Sequence, residues 1–350
     1  MRARIVIVGG GVVGLSIALH AARRTDPLKE PVMLLDGDDV GVGPSARSGA
    51  VLGQFYGTKN TAGMARDSLR YYRGIEDKTG RSLGFVPTGV LTLAKSRTPK
   101  GLAKLRELVH MQDSIGIDVR CVDAAEMRVL INGLKVPDDA LGAWEPTAGC
   151  LDPERTLDAF SSLARNRGAI IRSRTPVQRI VTENGRVVGV ETPEGLIKCE
   201  QVVVAAGPWT CALLDPLGIT LPICGVRAEL GYLACTEEAM LSAELESAIA
   251  IPGPESSGAT EYYSRAMMQG HHPAAQFDSQ NDGSAPVLKA AHPVLTDPEQ
   301  GFFIRSDPLN GRSIVGRRGR AGFEEIKDLD HIPESVGQDF SFWAREKVES

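Results

Sequence analysis

The sequence of 350 residues contains no apolar run of bilayer-spanning length, and its longest hydrophobic strands are bounded by charge or glycine. It has no excess of basic charge: 39 Lys and Arg against 44 Asp and Glu give a net charge of −5, with no basic stripe for a nucleic-acid backbone to follow. The six cysteines (Cys121, Cys150, Cys199, Cys211, Cys224 and Cys235) form no C-x-x-C pair and no zinc spacing, which points to reduced thiols in a cytoplasmic compartment. The six histidines include one adjacent pair, His271-His272, with no third ligand nearby, so no metal centre is expected. There is no internal repeat. The chain opens directly on its first strand, and no signal or transit peptide is expected.

What is present is concentrated at the start. Ile5-Val6-Ile7-Val8 runs into Gly9-Gly10-Gly11-Val12-Val13-Gly14, a short apolar strand opening into G-x-G-x-x-G. A helix is expected over 13–23, with Leu15, Ala18, Leu19 and Ala22 on one face. In such a pattern Gly9 permits the tight turn, Gly11 lets a diphosphate approach the backbone, and Gly14 allows close helix–strand packing. The helix start then offers N–H groups and a positive dipole end to the anion. A second strand, Val32–Leu35, ends in Asp36, about twenty residues downstream, where a carboxylate accepts hydrogen bonds from ribose hydroxyls. A dinucleotide site follows from this arrangement.

Further along, the loop 41–49 is built of small and hydroxyl residues with Arg47 among them, suited to wrapping an anionic ligand. Val202-Val203-Val204 reads as a buried parallel strand, and Ala205-Ala206-Gly207-Pro208-Trp209 leaves room for a ligand at its carboxyl end. Between these, helices are expected over 64–78 and 98–115, and a turn plus strand over 85–93. A polar stretch covers 137–149. Asp152-Pro153-Glu154 starts a helix that Gly168 stops, and Asn184-Gly185 joins strands 177–181 and 187–191 in a hairpin. The Gly-, Ser- and Pro-rich segment 244–283 reads as a lid or inserted hairpin, and strands follow at 301–305 and 312–316 around a 308–311 turn.

Taken together, these residues resemble the FAD-dependent D-amino-acid oxidase superfamily, which includes glycine, sarcosine and related amine oxidases and dehydrogenases. The likeness rests on the 5–14 fingerprint, Asp36, Pro44-Ser45-Ala46-Arg47-Ser48-Gly49, Phe85-Val86-Pro87-Thr88-Gly89 and Gly149-Cys150-Leu151-Asp152-Pro153. It continues through the hairpin beginning at Val177, Val204-Ala205-Ala206-Gly207-Pro208-Trp209 and Phe303-Ile304-Arg305, in matching order and spacing to about residue 320. More narrowly, Gln54-Phe55 and Pro87-Thr88-Gly89 are similar to FAD-dependent oxidoreductases associated with respiratory complex I assembly.

The resemblance implies an α/β fold in which a Rossmann-like FAD-binding domain (1–80 plus 148–220) is interleaved with an α+β substrate domain (81–147 plus 221–330) containing a large mixed or antiparallel sheet. It implies that Gly9, Gly11, Val12, Val13 and Gly14 hold the pyrophosphate of FAD, and that Asp36, in place of the family's usual glutamate, holds the ribose. Ser45, Arg47, Ser48 and Gly49 are implied along the pyrophosphate and flavin, Val177 at the adenine through its backbone, and Ala206, Gly207 and Trp209 beside the cofactor. Arg227 and Arg305 are the candidates to hold a substrate carboxylate, for which a planar guanidinium is suited. The implied activity is hydride transfer from a small amine or amino acid to flavin N5, with oxygen or a quinone-linked carrier as electron acceptor. A 2-hydroxy-acid dehydrogenase and a non-catalytic flavoprotein or assembly factor are the alternatives; an NAD(P) dehydrogenase fits the first motif alone. Family members continue beyond the second sheet with a tail that returns to the FAD domain. In this chain 331–350 only begins such a segment, which implies truncation, a partner chain supplying the rest, or loss of catalysis.

Overall fold

The computed structural model describes residues 1–234, 292–307, 312–317, 324–326 and 338–349. The expected lid at 244–283, the His271-His272 pair and the 308–311 turn lie outside the described residues. The chain forms two compact units, each assembled from separated segments. The first takes in Met1–Ser48 and Asp152–Arg227 together with the strand Glu324–Glu325; the second takes in Gly49–Leu151 and the described residues of 228–323 and 333–350.

At the centre of the first unit is a parallel sheet of β1 (Ile5–Val8), β2 (Val32–Leu35), β8 (Ile170–Arg172) and β12 (Gln201–Val204), in the order β12-β1-β2-β8. All four residues of β2 are buried, as a strand covered on both faces requires. Successive side chains alternate between the faces. Val6, Val8, Met33 and Leu35 pack on Ile180, Val190 and Ile197 of a three-stranded antiparallel meander, β9 (Arg179–Glu183), β10 (Arg186–Thr192) and β11 (Gly195–Lys198). Ile7 and Leu34 face the other way, towards α1 (Val12–Ala22), which packs against α5 (Pro153–Asn166). Leu15, Ala18, Leu19 and Ala22 form the buried stripe of α1, as the periodicity predicts. A 3₁₀ turn (Gly207–Trp209) and α6 (Thr210–Leu214) follow β12, and β13 (Val226–Arg227) pairs with β18 (Glu324–Glu325).

Helix α5 begins as its sequence requires. Asp152 accepts a hydrogen bond from the Arg155 N–H at 2.8 Å through Oδ1, Pro153 occupies the first turn, and Glu154 complements the dipole. Asp152→Ala should cost about 1 kcal/mol of stability, read as a lowered denaturation midpoint with unchanged slope.

The second unit is built on a seven-stranded mixed sheet in the order β14-β17-β16-β15-β4-β6-β5. Its strands are β4 (Val90–Leu93), β5 (Arg120–Asp123), β6 (Leu141–Glu145), β14 (Leu230–Ala234), β15 (Val294–Asp297), β16 (Phe302–Asp307) and β17 (Arg312–Arg317). The β15–β4 pair is parallel and the other pairs antiparallel. One face carries Leu91, Trp144, Leu295 and Phe302, covered by α4 (Ala124–Leu130) and by Trp343 of α7 (Gln338–Glu349). The other face carries Val90 and Val294, with Ala143 packed under α2 (Lys59–Thr79) and α3 (Pro99–Asp113). A short pair, β3 (Val51–Leu52) with β7 (Gly149–Cys150), completes this unit.

Three expectations are corrected. The stretch 137–149 is not a polar connection: β6 runs through it and is buried from Gly142 to Glu145, because Trp144 fills the space over Gly89. Residues 49–80 pack with the second unit, since Ala62 of α2 belongs to the α3 cluster, and Arg227 packs with the first unit through its pairing with Glu324. The hairpin strand begins at Arg179, so Val177 precedes it. β12 is parallel to β1 as expected but only half-buried, because it is an edge of the sheet. Among the described residues no helix is long and apolar enough to cross a membrane.

Candidate active site

The turn between β1 and α1 is packed backbone against backbone. Gly9 sits at φ +112°, and a Cβ there would collide with the Ala205 carbonyl at the end of β12. A Cβ at Gly14 would collide with the Gly9 carbonyl oxygen. Gly11 caps α1 with no side chain of its own, and no acidic residue stands in the first turn. The helix therefore presents N–H groups and its positive dipole end to whatever lies before it. Ser45 closes one side, its Oγ accepting from the Val12 N–H at 3.1 Å. At the end of β2, Asp36 accepts from the Gly10 N–H through Oδ2 and from the Asp38 N–H through Oδ1, the latter at 2.9 Å. Each carboxylate oxygen has lone pairs left for a further donor. Gly9, Gly11, Val12, Val13, Gly14, Asp36 and Ser45 are thus gathered at one turn, with Ala206 beside Gly9. Arg47 and Ser48 are exposed in the same unit, Gly207 and Trp209 form the 3₁₀ turn after β12, and Val177 packs against the sheet core.

The second unit has a cavity of about 290 Å³ over the Val90 face of its sheet. It is lined by Val90 and Thr92 of β4, Glu145 of β6, Thr296 of β15, Phe303 of β16, Arg317 of β17 and the segment from Gly49 to Tyr56. Gly49 lies here, its Cα facing the Phe303 ring: a Cβ would fall 2.7 Å from Phe303 Cζ. Glu145 is fully buried, and its Oε1 accepts from the Gln54 N–H at 2.7 Å.

The two arginine candidates belong to different units. Arg227 is in the first unit, half-buried in β13. Arg305 is in the second, 3% exposed, and is not among the residues lining the cavity. Its Nη1 donates to the Ser306 carbonyl at 2.9 Å, beside Cys150 and His292. Burial pushes the Cys150 thiol up, which makes it an inert packing residue rather than a nucleophile. Burial pushes His292 down, so the ring is neutral: Nδ1 donates to the Pro293 carbonyl at 2.7 Å and Nε2 accepts from Ser313 Oγ at 2.8 Å. Sequence reasoning missed Glu145, Thr92 and Thr296. Thr92 lay inside an expected strand, but nothing local marked the face it takes.

A glycine turn and helix start built to approach a diphosphate, on a parallel sheet with a carboxylate at the second strand, define a dinucleotide-binding protein of the Rossmann type. The chain belongs to the FAD-dependent oxidoreductase family DAO, which it matches over residues 4–336. It is 28% identical over 222 residues to 4-methylaminobutanoate oxidase (formaldehyde-forming) of Paenarthrobacter nicotinovorans, covering 63% of this chain and 26% of that protein. The chain thus spans about a quarter of that relative's length. It is 26% identical over 245 residues to glycine oxidase of Pseudomonas putida, covering 68% of this chain and 64% of the relative. Its fold is that of L-proline dehydrogenase from P. horikoshii, with a TM-score of 0.71 at 19% identity, over 99% of this chain and 76% of the other. The narrower likeness to complex I assembly flavoproteins gains no support from these relatives.

The cradle fits FAD. Gly9 and Gly14 pack the β1–α1 turn backbone against backbone, Gly11 leaves the helix start without a side chain of its own, and Asp36 stands at the strand end where a ribose is held.

Proposed function

We propose that this chain is an FAD-dependent oxidase or dehydrogenase of a small amine or amino acid. The observation that carries the proposal is the α1 cradle, where Gly9 and Gly14 are closed to any side chain and the helix N–H groups are presented to an anion. The names of the relatives add the substrate class: methylaminobutanoate and glycine oxidases and a proline dehydrogenase all act on amines or amino acids. Bound FAD supplies the hydride acceptor, its N5. The α1 N–H groups and Ser45 would hold the diphosphate, and Asp36 would accept from the ribose hydroxyls. In the second unit, Phe55, Tyr56 and Phe303 give the cavity an apolar lining, while the Thr92 and Thr296 hydroxyls offer hydrogen bonds that orient a small polar substrate. Oxidation removes a hydride from the carbon bearing nitrogen and a proton from the nitrogen, and water hydrolyses the resulting imine. Oxygen or a quinone-linked carrier takes the electrons onward.

The test is the visible spectrum of the purified protein, native and denatured, followed by anaerobic mixing with glycine, sarcosine, L-proline and L-lactate. Released FAD and loss of the flavin band with an amine bear the proposal out. Bleaching by lactate alone assigns a 2-hydroxy-acid dehydrogenase; retained FAD with no bleaching by any substrate assigns a non-catalytic flavoprotein. Peroxide formation in air then separates oxygen from a carrier as acceptor. Asp36→Ala should weaken FAD binding by about tenfold, the effect of losing about 1.4 kcal/mol of interaction, measured by the recovery of flavin fluorescence on dilution.

A further inference from the structure

We propose that Phe303 sets the size limit of the substrate, holding the second unit's cavity to small amines and amino acids. The inference rests on the reading that this cavity takes the substrate. At about 290 Å³ it lies just below the roughly 300–1,000 Å³ of pockets that bury drug-sized ligands, so the position of each wall decides what fits. Alternation along β16 turns Phe302 to the Leu91 face of the sheet and Phe303 to the cavity. On the neighbouring strands Phe303 stands opposite Thr296 of β15, whose short side chain also lines the cavity, and Gly316 of β17, which has none.

The tip of the Phe303 ring is seated between two glycines. A Cβ at Gly316 would lie 2.5 Å from Cε1, and a Cβ at Gly49 would lie 2.9 Å from Cε2. Neither position has room for a side chain, so each edge of the ring rests on bare backbone. Main-chain atoms do not rotate out of the way, and the ring cannot swing towards either glycine to admit a longer substrate. Tyr56, on the same cavity, is 48% exposed and has solvent to turn into. Phe303 is therefore the fixed wall. A substrate with a phenyl substituent meets it, whereas removing the Phe303 ring vacates a space of the same shape.

The experiment is anaerobic reduction of the holoenzyme flavin, read as a second-order rate constant for each of four amines. Sarcosine and L-proline are the small pair; N-benzylglycine and L-phenylalanine carry a phenyl group on the nitrogen or the carbon side. Wild type should favour the better small amine at least tenfold over both bulky ones, a discrimination within reach of a shaped apolar pocket. In Phe303→Ala at least one bulky amine should gain tenfold or more, with the small amines within about threefold of wild type and FAD content unchanged. Phe303→Leu, which keeps more of the packing, should show a smaller gain in the same direction. Bulky amines that gain nothing in a folded, FAD-loaded Phe303→Ala overturn the inference and leave the proposed function standing. Wild type reduced by none of the four overturns both. Should neither variant fold, wild type still decides: a bulky amine as fast as the small ones overturns the inference, and preference for the small ones upholds it.

Discussion

Gly14→Ala should yield a protein that purifies without flavin. The added methyl has nowhere to go, because it meets the Gly9 carbonyl oxygen, and main-chain atoms do not rotate out of the way as a side chain would. Ala205 stands behind, its Cβ 3.6 Å from the same point. The helix must therefore shift off the end of β1, and with it the N–H groups aimed at the diphosphate. A shift of this kind removes the alignment on which anion binding at a helix start depends. FAD affinity should fall about 100-fold or more, equivalent to roughly 2.7 kcal/mol, with a further loss of about 1–3 kcal/mol of stability from overpacking. Gly63 is the control. It lies in α2 with nothing within 4 Å of a built Cβ, so Gly63→Ala should leave flavin content unchanged and raise stability by up to about 1 kcal/mol. Flavin-to-protein absorbance ratios and denaturation curves of the two variants check both statements.

Phe160→Ala should be the most destabilising truncation in the first unit. Phe160 is 1% exposed on α5, the helix that packs against α1, and phenylalanine is the bulkiest kind of side chain found fully buried among the described residues. Removing a buried ring costs about 3–5 kcal/mol, through lost transfer energy and the cavity left behind. That is a large share of the roughly 5–15 kcal/mol by which a domain is stable. The denaturant midpoint should drop accordingly, and because α5 supports the helix that forms the cradle, added FAD should recover part of the loss by mass action. A variant as stable as wild type would show that α5 does not anchor the unit.

The legible parts of the sequence were those whose chemistry is local. The β1 turn could be read because a strand, three spaced glycines and a helix stripe are fixed by neighbours within about ten residues. The α5 start could be read because Asp152, Pro153 and Glu154 each act on the turn that follows. What escaped depends on residues far away in sequence. Leu141-Gly142-Ala143-Trp144-Glu145 has little strand propensity of its own, and becomes β6 because Gly142 admits Leu91 and Met127 while Trp144 lies on Gly89. A glutamate is expected in water, so nothing marked Glu145 as the group that would line a cavity. Nothing local marked the burial of Arg305 either: its side chain is 3% exposed, with Nη1 donating to the Ser306 carbonyl inside the protein.

The strand order of the first unit also bears on how the chain is made. β1 is flanked by β2 and β12, so Ile5 finds its partner Gln201 only when nearly two hundred further residues have left the ribosome. Until then one edge of β1 stands open, with a long intervening stretch free to collapse first. Loop closure over that distance is slow, and unpaired apolar strand edges are prone to mispairing. Gly49–Leu151, by contrast, is complete well before β12 appears, and already holds β4, β5, β6 and the helices that cover them. Synthesis therefore presents a waiting N-terminal strand beside a partly assembled second unit. Production of the protein should improve when translation is slowed or chaperones that shield apolar strands are abundant.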